Sequence, residues 1–223
     1  MTELSELTVL AATDQPFTVL YEDEQLLVVN KPPKLLTVPG RHPANQDCLI
    51  SRVQREWPSA TVVHRLDYDT SGIVLLPLTK RALSELSKQF QARTIDKHYQ
   101  AVVAGLVQKK GGEINLPIAA DQESRPLYKI CQQNGKASLT QYQVISRDTV
   151  MAQSRLLLTP ITGRSHQLRL HLKAIGHPIL GDTLYGTQEV IAKAERLLLH
   201  ASFIRFLHPL TLQPVTLDVP ADF

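Results

Sequence analysis

The chain has 223 residues, 43% hydrophobic and 20% charged, so it can bury one substantial domain or at most two small ones. A net charge of only +3 permits a nucleic-acid ligand without demanding one, and any electropositive surface must come from local clustering. Cys48 and Cys131 stand far apart with no metal-ligand spacing, which argues against a disulfide framework or a structural zinc site and fits a reducing cytoplasm.

Met1 to Pro16 carries Glu3, Glu6 and Asp14 without a basic start, so it reads as a polar tail rather than a signal peptide. Residues 17–223 are then expected to form one domain. Leu26-Leu27-Val28-Val29 is a short apolar strand stopped by Asn30-Lys31-Pro32-Pro33. Asp47 to Trp57 predicts a helix with Ile50, Val53 and Trp57 on one face, ended by Pro58. Thr61-Val62-Val63 predicts a strand that runs into His64-Arg65-Leu66-Asp67, and Gly72 to Leu78 predicts another. The longest apolar run, about Ile73 to Leu78, is too short to span a bilayer. Thr79 can cap a helix reaching about Arg93, with Ala82, Leu83, Leu86 and Phe90 at helical spacing.

Tyr99 to Val107 returns to strand, and Gly111-Gly112 reads as a turn. Ser138 to Ser146 and Val150 to Thr159 look like a hairpin around Arg147-Asp148-Thr149. A helix is expected from Ser165, as N-cap, to Ile175, stopped by Gly176. A short helix near Gln188 to Leu197 and strands at His200 to Leu207 and Pro214 to Val219 follow. Strands outnumber helices and come in consecutive runs, which predicts an α+β fold with a mostly antiparallel mixed sheet flanked by helices. No glycine-rich phosphate loop of the nucleotide-binding kinds is present.

The densest polar stretch is His64 to Gly72, set between two apolar segments. If the strand persists to Asp67, Arg65 and Asp67 share a face, and the guanidinium would keep the carboxylate ionised and oriented. His64 by itself reads as a hydrogen-bonded histidine at a strand end. In Thr162-Gly163-Arg164-Ser165-His166-Gln167-Leu168-Arg169, the turn places Arg164 ahead of a helix N-terminus. On that helix Leu168, Leu172 and Ile175 form an apolar stripe, and His166, Arg169 and Lys173 form an opposite cationic face suited to phosphates. Tyr99, entering its strand after Lys97-His98, is placed to stack on a base or move a proton.

His-Arg-Leu-Asp-x-x-Thr-Ser-Gly at 64–72 resembles the signature of the RluA-type pseudouridine synthases. The resemblance extends to Asn30-Lys31-Pro32, Lys97-x-Tyr99, Thr162-Gly163-Arg164-x-His166-Gln167-x-Arg169 and the run from Gly176 to Gly186. It implies that Asp67 is the essential aspartate, Tyr99 the active-site tyrosine, Arg164 the ion-pair partner of Asp67, and Arg65 the neighbour that admits a flipped nucleotide. His64, His166, Gln167 and Arg169 join Arg65 as expected RNA contacts. Where such proteins often have Asn-Lys-Pro-x-Gly, this chain has Lys34 in place of the glycine, which is expected to change the loop's conformation.

Too few residues precede the domain for the S4-type RNA-binding module of many relatives, so none is expected. The compact form is similar to dual-specificity members, which implies uridines in 23S ribosomal RNA and the tRNA anticodon stem-loop as substrates. The resemblance further implies a cytoplasmic, membrane-free monomer that needs no cofactor or metal. Two alternatives use the same residues. Asp67-Tyr68-Asp69-Thr70 fits the Asp-x-Asp-x-Thr loop of Mg-dependent haloacid-dehalogenase-type phosphatases, although the later acidic motif is missing. The basic helix alone would suit a non-enzymatic RNA-binding module.

Overall fold

The structure, a computed structural model, describes residues 8–223; the first seven residues of the expected tail lie outside the described residues. In chain order the elements are β1 (Thr18–Glu22), β2 (Leu26–Lys31), α1 (Leu49–Val53), β3 (Ser71–Pro77), α2 (Lys80–Ala92), β4 (Asp96–Ala104), β5 (Gly111–Asn115) and β6 (Ile118–Ala120). They continue with β7 (Tyr128–Ile130), β8 (Leu139–Asp148), β9 (Gln153–Pro160), α3 (Gln167–Ala174), α4 (Gln188–Ala192), β10 (Leu199–Leu207) and β11 (Pro214–Asp218). This is the expected α+β class, with strands in consecutive antiparallel runs. The chain divides into two compact units, one reaching Asp96 and taking in Phe203–Pro220, the other built on Lys97–Ser202. No helix among the described residues is long and apolar enough to cross a membrane.

In the first unit β1, β2 and β3 pair antiparallel in that order, with Val28 opposite Leu75. Leu26 to Val29 are fully buried, as expected of a strand covered on both faces. Alternation sends Leu26 and Val28 into a cluster with Ile73, Leu75, Leu86 of α2, Ile204 and Phe206. The Thr79 hydroxyl accepts from the Ala82 N–H at 3.1 Å and opens α2, and Arg93 closes it in the left-handed region at φ 58°. Burying the Leu86 side chain is worth about 1.5–3 kcal/mol.

The expected strand at Thr61 to Asp67 is absent: residues 61–67 are irregular, and a turn follows at Tyr68-Asp69. The cause is local. The Leu75 N–H of β3 donates to His64 Nε2 at 2.9 Å, so an imidazole occupies a position that a strand carbonyl would have taken. The alternation argument that put Arg65 and Asp67 on one face therefore does not apply. Helix α1 is also shorter than expected, giving way to turns after Val53.

The second unit carries the antiparallel order β4-β9-β8-β5. Gly111 and Gly112 are not a turn but the start of β5, opposite Gln143 and Tyr142. A Cβ on Gly111 would stand 2.9 Å from the Tyr142 carbonyl, and one on Gly112 about as close to the Tyr142 ring, so glycine serves close approach here. Leu168 and Leu172 of α3 pack against Ala101 and Val103 of β4 and Leu156 and Leu158 of β9. The short β6–β7 hairpin packs through Ile118 against Leu170 and Tyr185.

Candidate active site

Asp67 stands on a backbone fixed from both sides. The Thr37 hydroxyl donates to the Leu66 carbonyl at 2.8 Å and accepts from the Leu66 N–H at 3.1 Å. On the other side the Tyr68 carbonyl accepts from the Leu35 N–H at 3.1 Å and from the Lys31 ammonium at 3.3 Å. Lys31 is fully buried and also donates to the carbonyls of Pro32 (2.9 Å) and Leu35 (2.7 Å). All three ammonium protons thus have backbone acceptors, which offsets the desolvation of a buried lysine. The Thr70 N–H closes the turn onto the Asp67 carbonyl at 3.2 Å.

Among the described residues of this unit the half-buried Asp67 carboxylate takes no hydrogen bond, and no ion pair joins it to the exposed Arg65. The anchored backbone fixes where this carboxylate starts, and its oxygens have no donor among the described residues of the unit. His64, placed among the RNA contacts, is half-buried, accepts from Leu75 N–H and lies 4.8 Å from the Phe90 ring centroid. It props the loop. The anchoring roles of Lys31 and Thr37 were not read from the sequence. The usable signal was a lysine ending an apolar strand, where only paired charge is tolerated.

In the second unit Tyr99 sits on β4 opposite Leu158, half-buried against the core of that unit. Burial lowers the pKa of neighbouring Lys97 from its ordinary value. Arg164 lies on the turn between β9 and α3; its N–H donates to Gln167 Oε1 at 3.0 Å and its Nε to the Ala137 carbonyl at 3.4 Å. The turn borders a cleft of about 680 Å³, whose other side is the β6–β7 hairpin and whose lining includes Arg164, Lys129, Lys136, Tyr128 and Asn134. Lys129 is paired with Asp121 at 3.0 Å, so Lys136 and Arg164 against Glu123 give that cleft its positive lining.

The expected cationic face of α3 is overturned. Helix α3 begins at Gln167, with His166 rather than Ser165 at the N-cap, in the left-handed region at φ 55°. Gln167 is 3% exposed: its amide donates to the Leu139 carbonyl and Thr140 Oγ1, both at 3.0 Å, and its oxygen accepts from the Thr162 hydroxyl at 2.8 Å. It holds the Arg164 turn from inside. Arg169 is 2% exposed and grips Asp182 in a fork, at 2.9 and 2.5 Å, with its guanidinium 5.3 Å from the Tyr185 ring centroid.

Neither Gln167 nor Arg169 faces a ligand, because both sides of this eight-residue helix are covered and a buried guanidinium requires a carboxylate. His166 Nδ1 meets the Tyr185 hydroxyl at 2.6 Å, which leaves Lys173 as the exposed cation of the three. The same geometry removes the phosphatase alternative. Asp182, its nearest later acidic residue, accepts from Arg169 and from the N–H groups of Leu184 and Tyr185.

The sequence pattern of the family described as RNA pseudouridylate synthase matches residues 25–174, two thirds of the chain, and spans the Asp67 loop and the Arg164 turn. The chain belongs to that family. It is 47% identical over 214 residues to the "Dual-specificity RNA pseudouridine synthase RluA" of Vibrio parahaemolyticus, covering 95% of this chain and 86% of that one. Identity to the protein of the same name from Yersinia pestis is 48% over 205 residues, covering 92% and 99%. Among solved structures, human RNA Pseudouridylate Synthase Domain Containing 1 superposes with a TM-score of 0.79 at 29% identity, over 94% of this chain and 85% of that one. The chain is an RNA pseudouridine synthase, an isomerase acting on RNA.

Proposed function

We propose that this synthase acts on uridines of both 23S ribosomal RNA and the tRNA anticodon stem-loop, with Asp67 as the catalytic group. The printed names of the Vibrio and Yersinia relatives, each matched over nine tenths of the chain, support the dual substrate. The observation that supports the role of Asp67 is a carboxylate with no hydrogen bond among the described residues of its unit, on a doubly anchored backbone.

The reaction breaks the bond between uracil N1 and ribose C1′, turns the base, joins C5 to C1′ and releases the C5 hydrogen as a proton. Nothing is oxidised, hydrolysed or added. The uridine must first leave its stack, at a cost of roughly a few kcal/mol that a strained loop reduces. Exposed Arg65 supplies a cation to the space it vacates. Asp67 then attacks C1′, attacks the uracil ring, or removes a sugar proton; each route uses an ionised carboxylate. Tyr99 is assigned the later loss of the C5 proton, and Arg164 the charge that Asp67 carries. The positive cleft beside Arg164 suits flanking phosphates. The enzyme is proposed to work as a cytoplasmic monomer without metal or cofactor.

Unmodified tRNA and 23S transcripts carrying tritium at uracil C5 test the reading. Label release from both, mapped to a loop uridine in each, is expected. Release from one RNA class alone would restrict the specificity, and release by an Asp67→Asn variant would remove Asp67 from its role.

A further inference from the structure

The segment Thr8 to Gln15, expected as part of a free polar tail, is laid along the first unit as a strap. Asn45, 5% exposed, grips one end: its Oδ1 accepts from the Leu10 N–H at 2.8 Å and its Nδ2 donates to the Thr8 carbonyl at 2.9 Å. Arg52, itself forked onto Asp47 at 2.7 Å, holds the other end through the carbonyls of Thr13 (2.6 Å) and Gln15 (3.2 Å). Between them the Tyr68 hydroxyl donates to the Ala11 carbonyl at 2.5 Å, and the Thr13 N–H donates to the Lys34 carbonyl at 2.9 Å.

Both middle contacts reach the neighbourhood of Asp67. Tyr68 follows Asp67 directly, and Lys34 precedes Leu35, whose N–H holds the Tyr68 carbonyl. The strap therefore fixes the Tyr68 side chain while the loop beneath fixes its backbone. Burial, helped by Asp69, raises the phenol pKa, so Tyr68 stays a donor across the neutral range. Because the Asp67 carboxylate has no hydrogen bond of its own among the described residues of the unit, these neighbouring anchors are what set its position. The strap lies ahead of residues 25–174, which carry the family's pattern.

We infer that residues 8–15 are a positioning element of the catalytic apparatus, acting through Tyr68 on the direction of the Asp67 carboxylate. The inference rests on Asp67 being the catalytic group. Tyr68→Phe cuts the strap at its middle, and Asn45→Ala releases one end without touching the Asp67 loop. In the full chain, each is expected to lower kcat about tenfold, the scale of a slight misalignment of reacting groups. KM for RNA should change by less than about twofold, as for an interaction that does not bind substrate. Amide exchange across residues 64–70 should quicken in both variants, with the unfolding temperature lowered by no more than about a few degrees.

Unaltered kcat in both variants overturns the inference, and so does a rise in KM at constant kcat, which would make the strap an RNA contact. If Tyr68→Phe does not fold, Asn45→Ala alone decides. If the unaltered chain releases no label from any RNA, the functional reading fails instead. Exchange then decides whether the strap holds the loop, with wild-type rates in both variants counting against it.

Discussion

Around Asp67 the first unit anchors backbone and leaves the carboxylate without a hydrogen bond among its described residues, whereas around α3 the second unit anchors the side chains themselves. Lys31 and Thr37 bond to the carbonyls and N–H of Leu66 and Tyr68, never to the carboxylate between them. In α3 the guanidinium of Arg169 and the amide of Gln167 are fully engaged inside the fold. Polar residues of similar chemistry, both within motifs that mark the family, thus divide into one proposed to meet substrate and others whose side chains hold architecture.

The largest effect that separates them is on turnover. Asp67→Asn removes a charge that no partner in its unit requires, so the variant should melt with the wild type and form no detectable pseudouridine. A large fall in stability would show that Asp67 is structural after all. Arg169→Met should do the reverse. Leaving Asp182 buried without its cation costs about 3–5 kcal/mol, read as a lower urea midpoint at unchanged slope. At a temperature where the variant is folded, the salt dependence of RNA binding should match the wild type. A slope shallower by about 0.9 would restore Arg169 as a phosphate contact.

A smaller effect belongs to His171, fully buried on α3. Its Nε2 faces the Leu116 carbonyl and its Nδ1 the Thr140 hydroxyl, each at 2.9 Å, which suits a neutral ring with the proton on Nε2. Burial lowers its pKa, outweighing the Leu116 carbonyl that raises it. The folded ring therefore takes a proton less readily than the unfolded one, whose pKa is about 6.5. The contribution to stability is intact above that pH and is lost as pH falls from there through the folded value. Urea midpoints from pH 7.5 to 5 should fall more steeply for the wild type than for His171→Gln; parallel curves would show that another group governs the acid limb.

Much of this was legible where signals are local. The run Leu26 to Val29, the strand after Gly72 and the Thr79-capped helix emerge from apolar spacing and one hydroxyl. The family was legible too, because the His64 to Gly72 motif is contiguous. Partners distant in sequence were not. Arg169 reads as a surface cation until Asp182, 13 positions later, is seen beside it. Residues 61–67 read as a strand because nothing in Val62-Val63 reveals that His64 will supply a side-chain nitrogen to β3. Residues 8–15 read as a tail because their contacts are backbone groups, which the side-chain pattern does not record.

The smallest effect tests the first unit's reliance on backbone, at Lys34. Lys34 stands where the resemblance implied a glycine; it sits at φ 55° and its carbonyl accepts from the Thr13 N–H. The loop holds a non-glycine residue in the left-handed region and tolerates its strain. A side chain in that region costs about 1–2 kcal/mol. Glycine would relieve it but would add about 0.5–1 kcal/mol of chain entropy lost on folding. The exposed lysine side chain gives up no packing, so relief wins by a small margin. Lys34→Gly should raise stability by roughly 0.5–1 kcal/mol with kcat unaltered, whereas Lys34→Val, branched at Cβ, should lower it. If glycine instead weakens the fold, the Lys34 side chain contributes something its exposure does not disclose, and anchoring in this unit is not a matter of backbone alone.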